Sequence, residues 1–225
     1  AGVVECVGCG KEFEAVMITL IGREYCFEKY CPACKPIREQ QEKDMTAIRQ
    51  EQARLEEFDR VCPPLYRESD PLKLPCHPDI VKLVLGWTYG AKGLVLHGAT
   101  GKGKTRLAYL LVKRLVLEGR TVSAFDPLSF AHRVGETFGE YQGERFIRDQ
   151  QRVDVLMLDD LGKAKLTERA EAELFGLVEH RIANLKPLIV TTNFVGDKLS
   201  DKLSEDRATP LVRRLREFNE CVCVR

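Results

Sequence analysis

The chain has 225 residues, 44% of them apolar, with 35 basic against 34 acidic side chains and a formal net charge of +1. That length holds one ordinary domain and a small one, and the near-neutral balance excludes a global electrostatic signature of nucleic-acid binding, leaving only local patches. No apolar run approaches the roughly 20 residues that span a bilayer, and no signal-peptide pattern is present. Nine cysteines without a secretory signal point to metal ligation or buried thiols rather than disulfides. The expectation is a soluble cytoplasmic protein without membrane contact.

Cys6-Val7-Gly8-Cys9 and Cys31-Pro32-Ala33-Cys34 are two Cys-x-x-Cys knuckles with 21 residues between them. Four thiolates so spaced close a tetrahedral structural Zn²⁺ site, each knuckle giving two ligands from one tight turn and leaving no open position for a catalytic water. Cys26 is an alternative ligand. A redox pair would need a βαβ surround that the flanking residues do not suggest. Residues 13–25 carry the β-branched and aromatic content of a short hairpin around Gly22. A segment this small has too little core to fold alone, so metal would supply much of its stability. Residues 1–36 are therefore expected to form a zinc module.

Residues 35–60 are rich in Glu, Gln, Lys and Arg, with Met45, Ile48, Leu55 and Phe58 as sparse apolar points. This predicts one helix with a thin apolar stripe, either a solvated connector or a helix that docks on a partner or on the following domain. Pro63 and Pro64 stop it, and Pro71, Pro75 and Pro78 keep the chain turning. Residues 37–79 are read as the linker and 80–225 as the second domain.

That domain is expected to open on a helix over residues 80–89. Gly93-Leu94-Val95-Leu96-His97 reads as a buried strand leading into Gly98-Ala99-Thr100-Gly101-Lys102-Gly103-Lys104-Thr105, which fits the phosphate-loop pattern Gly-x-x-x-x-Gly-Lys-[Ser/Thr]. Glycines let backbone N–H groups curl around phosphates where Cβ atoms would collide. Lys104 offers a point charge to the β/γ-phosphates, and the Thr105 hydroxyl can ligate Mg²⁺. Leu107, Leu110, Leu111 and Leu115 recur at helical spacing, so the cradle, taken through Arg106, would sit at a helix N-terminus. Gly119 ends that helix and residues 121–125 suit a buried strand. In residues 130–148, Phe138, Tyr141 and Phe146 interleave with Arg133, Arg145 and Arg148. Such a mix is either an amphipathic helix with a loop or a surface for single-stranded nucleic acid.

Val155-Leu156-Met157-Leu158-Asp159-Asp160 reads as a fully buried strand with two carboxylates at its carboxyl end. Adjacent acids there imply a cation: Asp159 as the Mg²⁺-associated acid, Asp160 facing the attacking water. A helix over residues 168–185 precedes Leu188-Ile189-Val190-Thr191-Thr192-Asn193, whose terminal amide can orient water or a γ-phosphate, or cap a turn. Thr209-Pro210-Leu211-Val212-Arg213-Arg214-Leu215-Arg216 predicts an arginine-rich helix, and residues 221–224 a last strand. Cys62, Cys76, Cys221 and Cys223 fit no ligand spacing and are expected to be buried thiols. Strands alternating with helices imply an α/β fold, a parallel sheet with helices on both faces and every motif at its carboxyl edge.

The order of residues 98–105, Leu158-Asp159-Asp160-Leu161-Gly162, Thr191-Thr192-Asn193 and Arg213-Arg214-Leu215 resembles an AAA+ ATPase of the DnaC/DnaI helicase-loader group, with IstB-like relatives, over about residues 60–225. The resemblance implies Walker A at Lys104 and Thr105, Walker B at Asp159 and Asp160, sensor 1 at Asn193, and an arginine finger at Arg214 or Arg213. It also implies that the Asn193 strand lies between the Walker A and Walker B strands. Asp160 stands where many AAA+ proteins carry Glu, and no helical lid domain is expected after the last strand. The zinc module is similar in placement to the helicase-binding domain of DnaI-type loaders. The function implied is ATP- and Mg²⁺-dependent loading of a replicative helicase hexamer onto single-stranded DNA by self-associated ATPase domains. The rivals are an IstB-like transposition ATPase acting on duplex DNA and a zinc-dependent adaptor with weak ATPase activity.

Overall fold

The computed structural model describes residues 2–21, 23–136, 140–194, 199 and 205–225. The chain falls into two compact units, Ala1–Ala53 and Arg54–Arg225.

In the first unit, β1 (Gly2–Glu5) pairs antiparallel with β2 (Glu12–Ala15), and β3 (Met17–Leu20) with β4 (Arg23–Cys26). The hairpin that the sequence predicts around Gly22 is the β3–β4 pair, with Leu20 opposite Arg23; it starts later than the expected residue 13, because Phe13 lies opposite Val4 in the β1–β2 ribbon. The reason is the first knuckle, which is itself a chain reversal. Cys6 donates its N–H to Lys11 O at 2.9 Å, Gly10 donates to Cys6 O at 2.8 Å, and Gly10 takes the left-handed φ of +70° that the turn requires. Gly22 lies outside the described residues. Helix α1 (Cys34–Val61) begins in this unit, and the division between the units falls within it.

The second unit runs α2 (Pro64–Arg67), a 3₁₀ turn (Pro71–Lys73), α3 (Pro78–Leu85), β5 (Gly93–His97), α4 (Lys104–Leu117), β6 (Val122–Phe125), α5 (Pro127–Glu136) and α6 (Glu140–Arg152). Then follow β7 (Val155–Leu158), α7 (Glu168–Ala183), β8 (Leu188–Thr192), α8 (Glu205–Phe218) and β9 (Asn219–Cys223). The five strands form one parallel sheet in the order β6-β7-β8-β5-β9. Alternate residues of each strand enter two apolar clusters. Leu94, Leu96, Met157 and Ile189 meet Leu107, Leu111 and Leu115 of α4 on one face. Val95, Leu156, Leu158 and Val190 meet Phe130, Leu174, Leu177 and Leu215 on the other.

Burial on both faces is what makes the central strands continuous apolar runs. Because the strands are parallel, the chain leaves β5, β7 and β8 at one edge, which brings residues 98–103, 159–160 and 193 together. Helix α4 ends as the sequence predicts. Arg120 N donates to Leu115 O at 3.0 Å and Gly119 N to Val116 O at 2.9 Å, around Gly119 at φ +87°.

The core also takes in Phe58, Cys62 and Cys76 from the stretch that reads as connector. Cys62 and Cys76 are buried, but Cys221 and Cys223 are exposed, contrary to the expectation for all four. Among the described residues, strand β9 is an edge strand paired with β5 alone, and these two thiols lie on its solvent side while Val222 and Val224 turn inward. Arg181, on the apolar face of α7, is fully buried. It donates to Gln150 O (2.7 Å), Val153 O (3.0 Å), Asp154 O (2.9 Å) and Pro187 O (3.0 Å). It thus joins the end of α6 to the starts of β7 and β8. Burial pulls this guanidinium down to about 10.

Candidate functional site

The loop after β5 is built on glycines that nothing else can replace. Gly98, at φ +147°, would place a Cβ 2.3 Å from Val224 O, and Gly103, at φ +82°, packs beneath Pro75 and Leu74. Lys104 opens α4 and is 5% exposed. Its ammonium folds back over the loop, donating to Gly98 O (2.9 Å), Ala99 O (2.9 Å) and Asn193 Oδ1 (2.7 Å). Burial lowers its affinity for a proton, and the nearby Asp160 and Asp159 charges oppose that effect.

One residue on, Thr105 donates from Oγ1 to Asp159 Oδ1 at 2.8 Å, and Thr191 donates from Oγ1 to the same oxygen at 2.6 Å. Burial raises Asp159 above the usual carboxylate range, the two hydroxyls pull it back, and the Asp160 charge adds to the rise. A carboxylate and a hydroxyl oxygen this close are the hard ligands that Mg²⁺ takes; Thr105 and Asp159 fit that ion. Asp160 is left-handed, at φ +55°. Its N–H donates to Thr191 Oγ1 at 2.8 Å, while its Oδ2 accepts from Lys163 Nζ at 3.0 Å.

Thus Lys104, Thr105, Asp159, Asp160 and Asn193 converge at one sheet edge, tied by direct hydrogen bonds and by Thr191. Sequence reasoning missed Thr191 and Lys163. The signals were a hydroxyl one strand residue before Asn193's neighbour Thr192, and a cation three residues after Asp160. Arg106 lies over the Tyr66 ring at 5.7 Å, and Tyr66 stacks on Tyr109 at 5.3 Å. Arg214 is engaged elsewhere: its Nε donates to Glu179 Oε1 at 2.9 Å, and its guanidinium lies 5.8 Å from the Phe218 centroid. Arg213 is exposed.

The aromatic–arginine segment divides, its described aromatic rings packing on the core and its arginines staying exposed. Phe146 meets Phe125 edge-on at 5.5 Å and Phe130 at 5.9 Å, and Arg133 lies over Phe125 and Phe146 at 5.4 and 5.7 Å. Phe130 and Phe146 serve the core, while Arg133, Arg145 and Arg148 are exposed. Phe138 and the side chain of Tyr141 lie outside the described residues.

In the first unit the sulfurs of Cys6, Cys9, Cys31 and Cys34 all lie within 4.8 Å of one another. Tetrahedral Zn–S bonds of about 2.3 Å separate sulfurs by about 3.8 Å, and Cys9 Sγ and Cys31 Sγ are 3.9 Å apart. The donor set fits zinc. The Cys31 N–H, 3.3 Å from Cys6 Sγ, is the main cause that holds this thiol down to about 6. The neighbouring sulfurs push Cys34 up to about 12. Crowded thiols compete for the one proton set until a cation replaces it. Cys26 stands apart, its thiol 3.4 Å from Glu28 O.

Comparison with known proteins agrees with this geometry. The chain is 27% identical over 135 residues to the replicative helicase loader DnaI of Bacillus subtilis, covering 58% of this chain and 43% of that protein. It is 32% identical over 110 residues to a putative ATP-binding protein in an insertion sequence of Mycobacterium tuberculosis, covering 48% and 43%. The chain spans about half the length of the curated relatives it matches. The crystal structure of the DnaC helicase loader superposes with a TM-score of 0.55 at 25% identity, covering 65% of this chain and 86% of that one. The model of the IstB-like ATP-binding proteins matches residues 66–224, and the chain belongs to that family, as an AAA+ ATPase related to the DnaC and DnaI loaders.

Proposed function

We propose that the chain is an ATP-dependent loader of a replicative DNA helicase, with ATP switching its assembly and release on single-stranded DNA. The observation that carries the nucleotide part is the hydrogen-bonded group Lys104–Asn193 and Thr105–Asp159–Thr191 at one sheet edge. The four-cysteine unit ahead of the ATPase unit, together with the similarity to a helicase loader, supports a partner-binding arm.

In this reading the N–H groups of residues 98–105 and the Arg106 side hold the phosphates, and Lys104 exchanges its Asn193 partner for a phosphate oxygen. Thr105 and Asp159 hold Mg²⁺, which supplies charge neutralisation between the phosphates when bound. Asp160 orients the attacking water, and Asn193 senses the terminal phosphate. Arg214, once released from Glu179, reaches a neighbouring subunit's site; Arg213, already exposed, is the alternative. The cysteines Cys6, Cys9, Cys31 and Cys34 hold a structural Zn²⁺ that keeps the arm folded.

The test is co-elution with the replicative helicase of the source organism on a sizing column in ATP·Mg²⁺, comparing the chain with Cys9→Ser. A complex that forms with the intact chain and is lost in C9S supports the loader reading; no complex under any nucleotide condition sinks it. A transposition ATPase is the second reading, favoured by the description of the matching family and the insertion-sequence relative. Preference for duplex over single-stranded DNA would select it.

A further inference from the structure

The turn after β7 holds Asp160 from every side. Its N–H is committed to Thr191 Oγ1 at 2.8 Å, and its carbonyl accepts from Lys163 N at 3.0 Å. Leu161, 1% exposed, donates its N–H to Thr191 O at 2.9 Å and accepts from Thr192 Oγ1 at 2.7 Å. Gly162 sits at φ +89°, where a Cβ would come 2.8 Å from Leu199 Cδ1 and 3.1 Å from Phe194 Cδ2. With the backbone pinned to the end of β8 and glycine enforced at the bend, the position of Lys163 relative to Asp160 follows from the turn itself. What remains free is the Lys163 side chain, 70% exposed, which reaches back to place Nζ 3.0 Å from Asp160 Oδ2.

That contact occupies a lone pair on the carboxylate proposed to orient the attacking water. A carboxylate that already accepts from an ammonium presents less negative charge and one oxygen fewer to a water molecule. We infer that Lys163 is a positioning residue that restrains ATP hydrolysis by holding Asp160 out of its water-orienting arrangement. The inference rests on the proposed role of Asp160. No other role in the site falls to Lys163: the loop carbonyls and Asn193 are served by Lys104, and Asp159 by the two threonine hydroxyls.

The restraint is weak by construction. An ion pair with one partner this exposed is worth little and is screened by salt, so it opens whenever a competing anion or partner residue draws the ammonium away. A strong buried pair could not serve as a releasable restraint.

The experiment is steady-state ATP hydrolysis by the full chain with Mg²⁺, for the wild type, Lys163→Met, Lys163→Arg and Asp160→Asn, alongside ADP binding by calorimetry. Removing the ammonium should raise kcat about 2- to 5-fold, the scale of an exposed pair, with KM and ADP affinity changed less than about 2-fold. Lys163→Arg, which keeps a cation in reach, should bring the rate back down. An unchanged or lower kcat in Lys163→Met, or an equal rise in Lys163→Arg, overturns the inference. Where the wild-type rate is no higher than that of Asp160→Asn, Lys163→Met rising above that common floor supports the restraint, and Lys163→Met remaining on it overturns the restraint and counts against the role of Asp160 as well.

Discussion

Lys104 Nζ lies 2.7 Å from Asn193 Oδ1, joining the first turn of α4 to the residue that follows β8. An ammonium has three donors, and Gly98 O, Ala99 O and Asn193 Oδ1 take all three. A phosphate can gain this lysine only by displacing one of them, and the side-chain amide is the one that can rotate away. Asn193 therefore competes with nucleotide for Lys104. Asn193→Ala should tighten ADP binding by about 2- to 10-fold, the scale of one hydrogen bond. Calorimetric titration with ADP reads this directly, and unchanged or weakened ADP affinity would contradict the competition.

Asp159 is a carboxylate raised by burial, so its ionised form is a cost to the nucleotide-free fold. A folded-state affinity for the proton above the unfolded value favours folding at low pH, and that contribution is lost as pH rises through the folded value. At neutral pH Asp159→Asn should therefore raise the Tm of the free protein by a few degrees, while abolishing the further rise on adding ADP·Mg²⁺. The advantage of the variant should shrink as pH falls toward the ordinary carboxylate range. Thermal melts at several pH values, with and without ADP·Mg²⁺, check both signs; a destabilised free variant at neutral pH would be the contrary result.

Arg181 satisfies four backbone carbonyls from a fully buried position. Arg181→Ala strands those acceptors and should cost about 3–5 kcal/mol, a fall in Tm on the order of 10 °C. Arg181→Lys should recover only part of this, since one ammonium has three donors for four carbonyls. A lysine variant as stable as wild type would show that the fork geometry is dispensable.

The four-sulfur cluster should bind one Zn²⁺ per chain, measured by elemental analysis of the purified protein. Cys9→Ser should lose it, because three sulfurs leave the tetrahedron open. Cys26→Ser should keep the full complement, since its thiol lies outside the cluster. Equal loss in both variants would place Cys26 among the ligands.

Much of the candidate site is legible in one dimension because its chemistry demands contiguous residues. Residues 98–105 must be consecutive for successive N–H groups to line one cradle, and Asp159 must directly follow a buried strand to emerge at its end. The apolar runs Leu94–Leu96, Val155–Leu158 and Leu188–Val190 of β5, β7 and β8 are unbroken because both sheet faces are covered, which made their parallel arrangement readable. Regularly spaced knuckles showed the four cysteines for the same local reason.

What the tertiary structure alone decided are relations between residues far apart in the chain. Lys104 meets Asn193 across 89 positions, and Thr191 reaches Asp159 across 32. Neither contact follows from spacing, because each depends on which strand lies beside which. The same holds for Phe146, whose ring suggests a nucleic-acid surface until its packing against Phe125 and Phe130 turns it inward. Cys221 reads as buried until its strand proves to be the sheet's edge. Sequence by itself determined the identity of the reactive groups and the local turns that present them, since those depend on backbone conformation over a few residues. Partner choice, burial and charge state were left to the fold, because they depend on what the rest of the chain brings within a few ångströms.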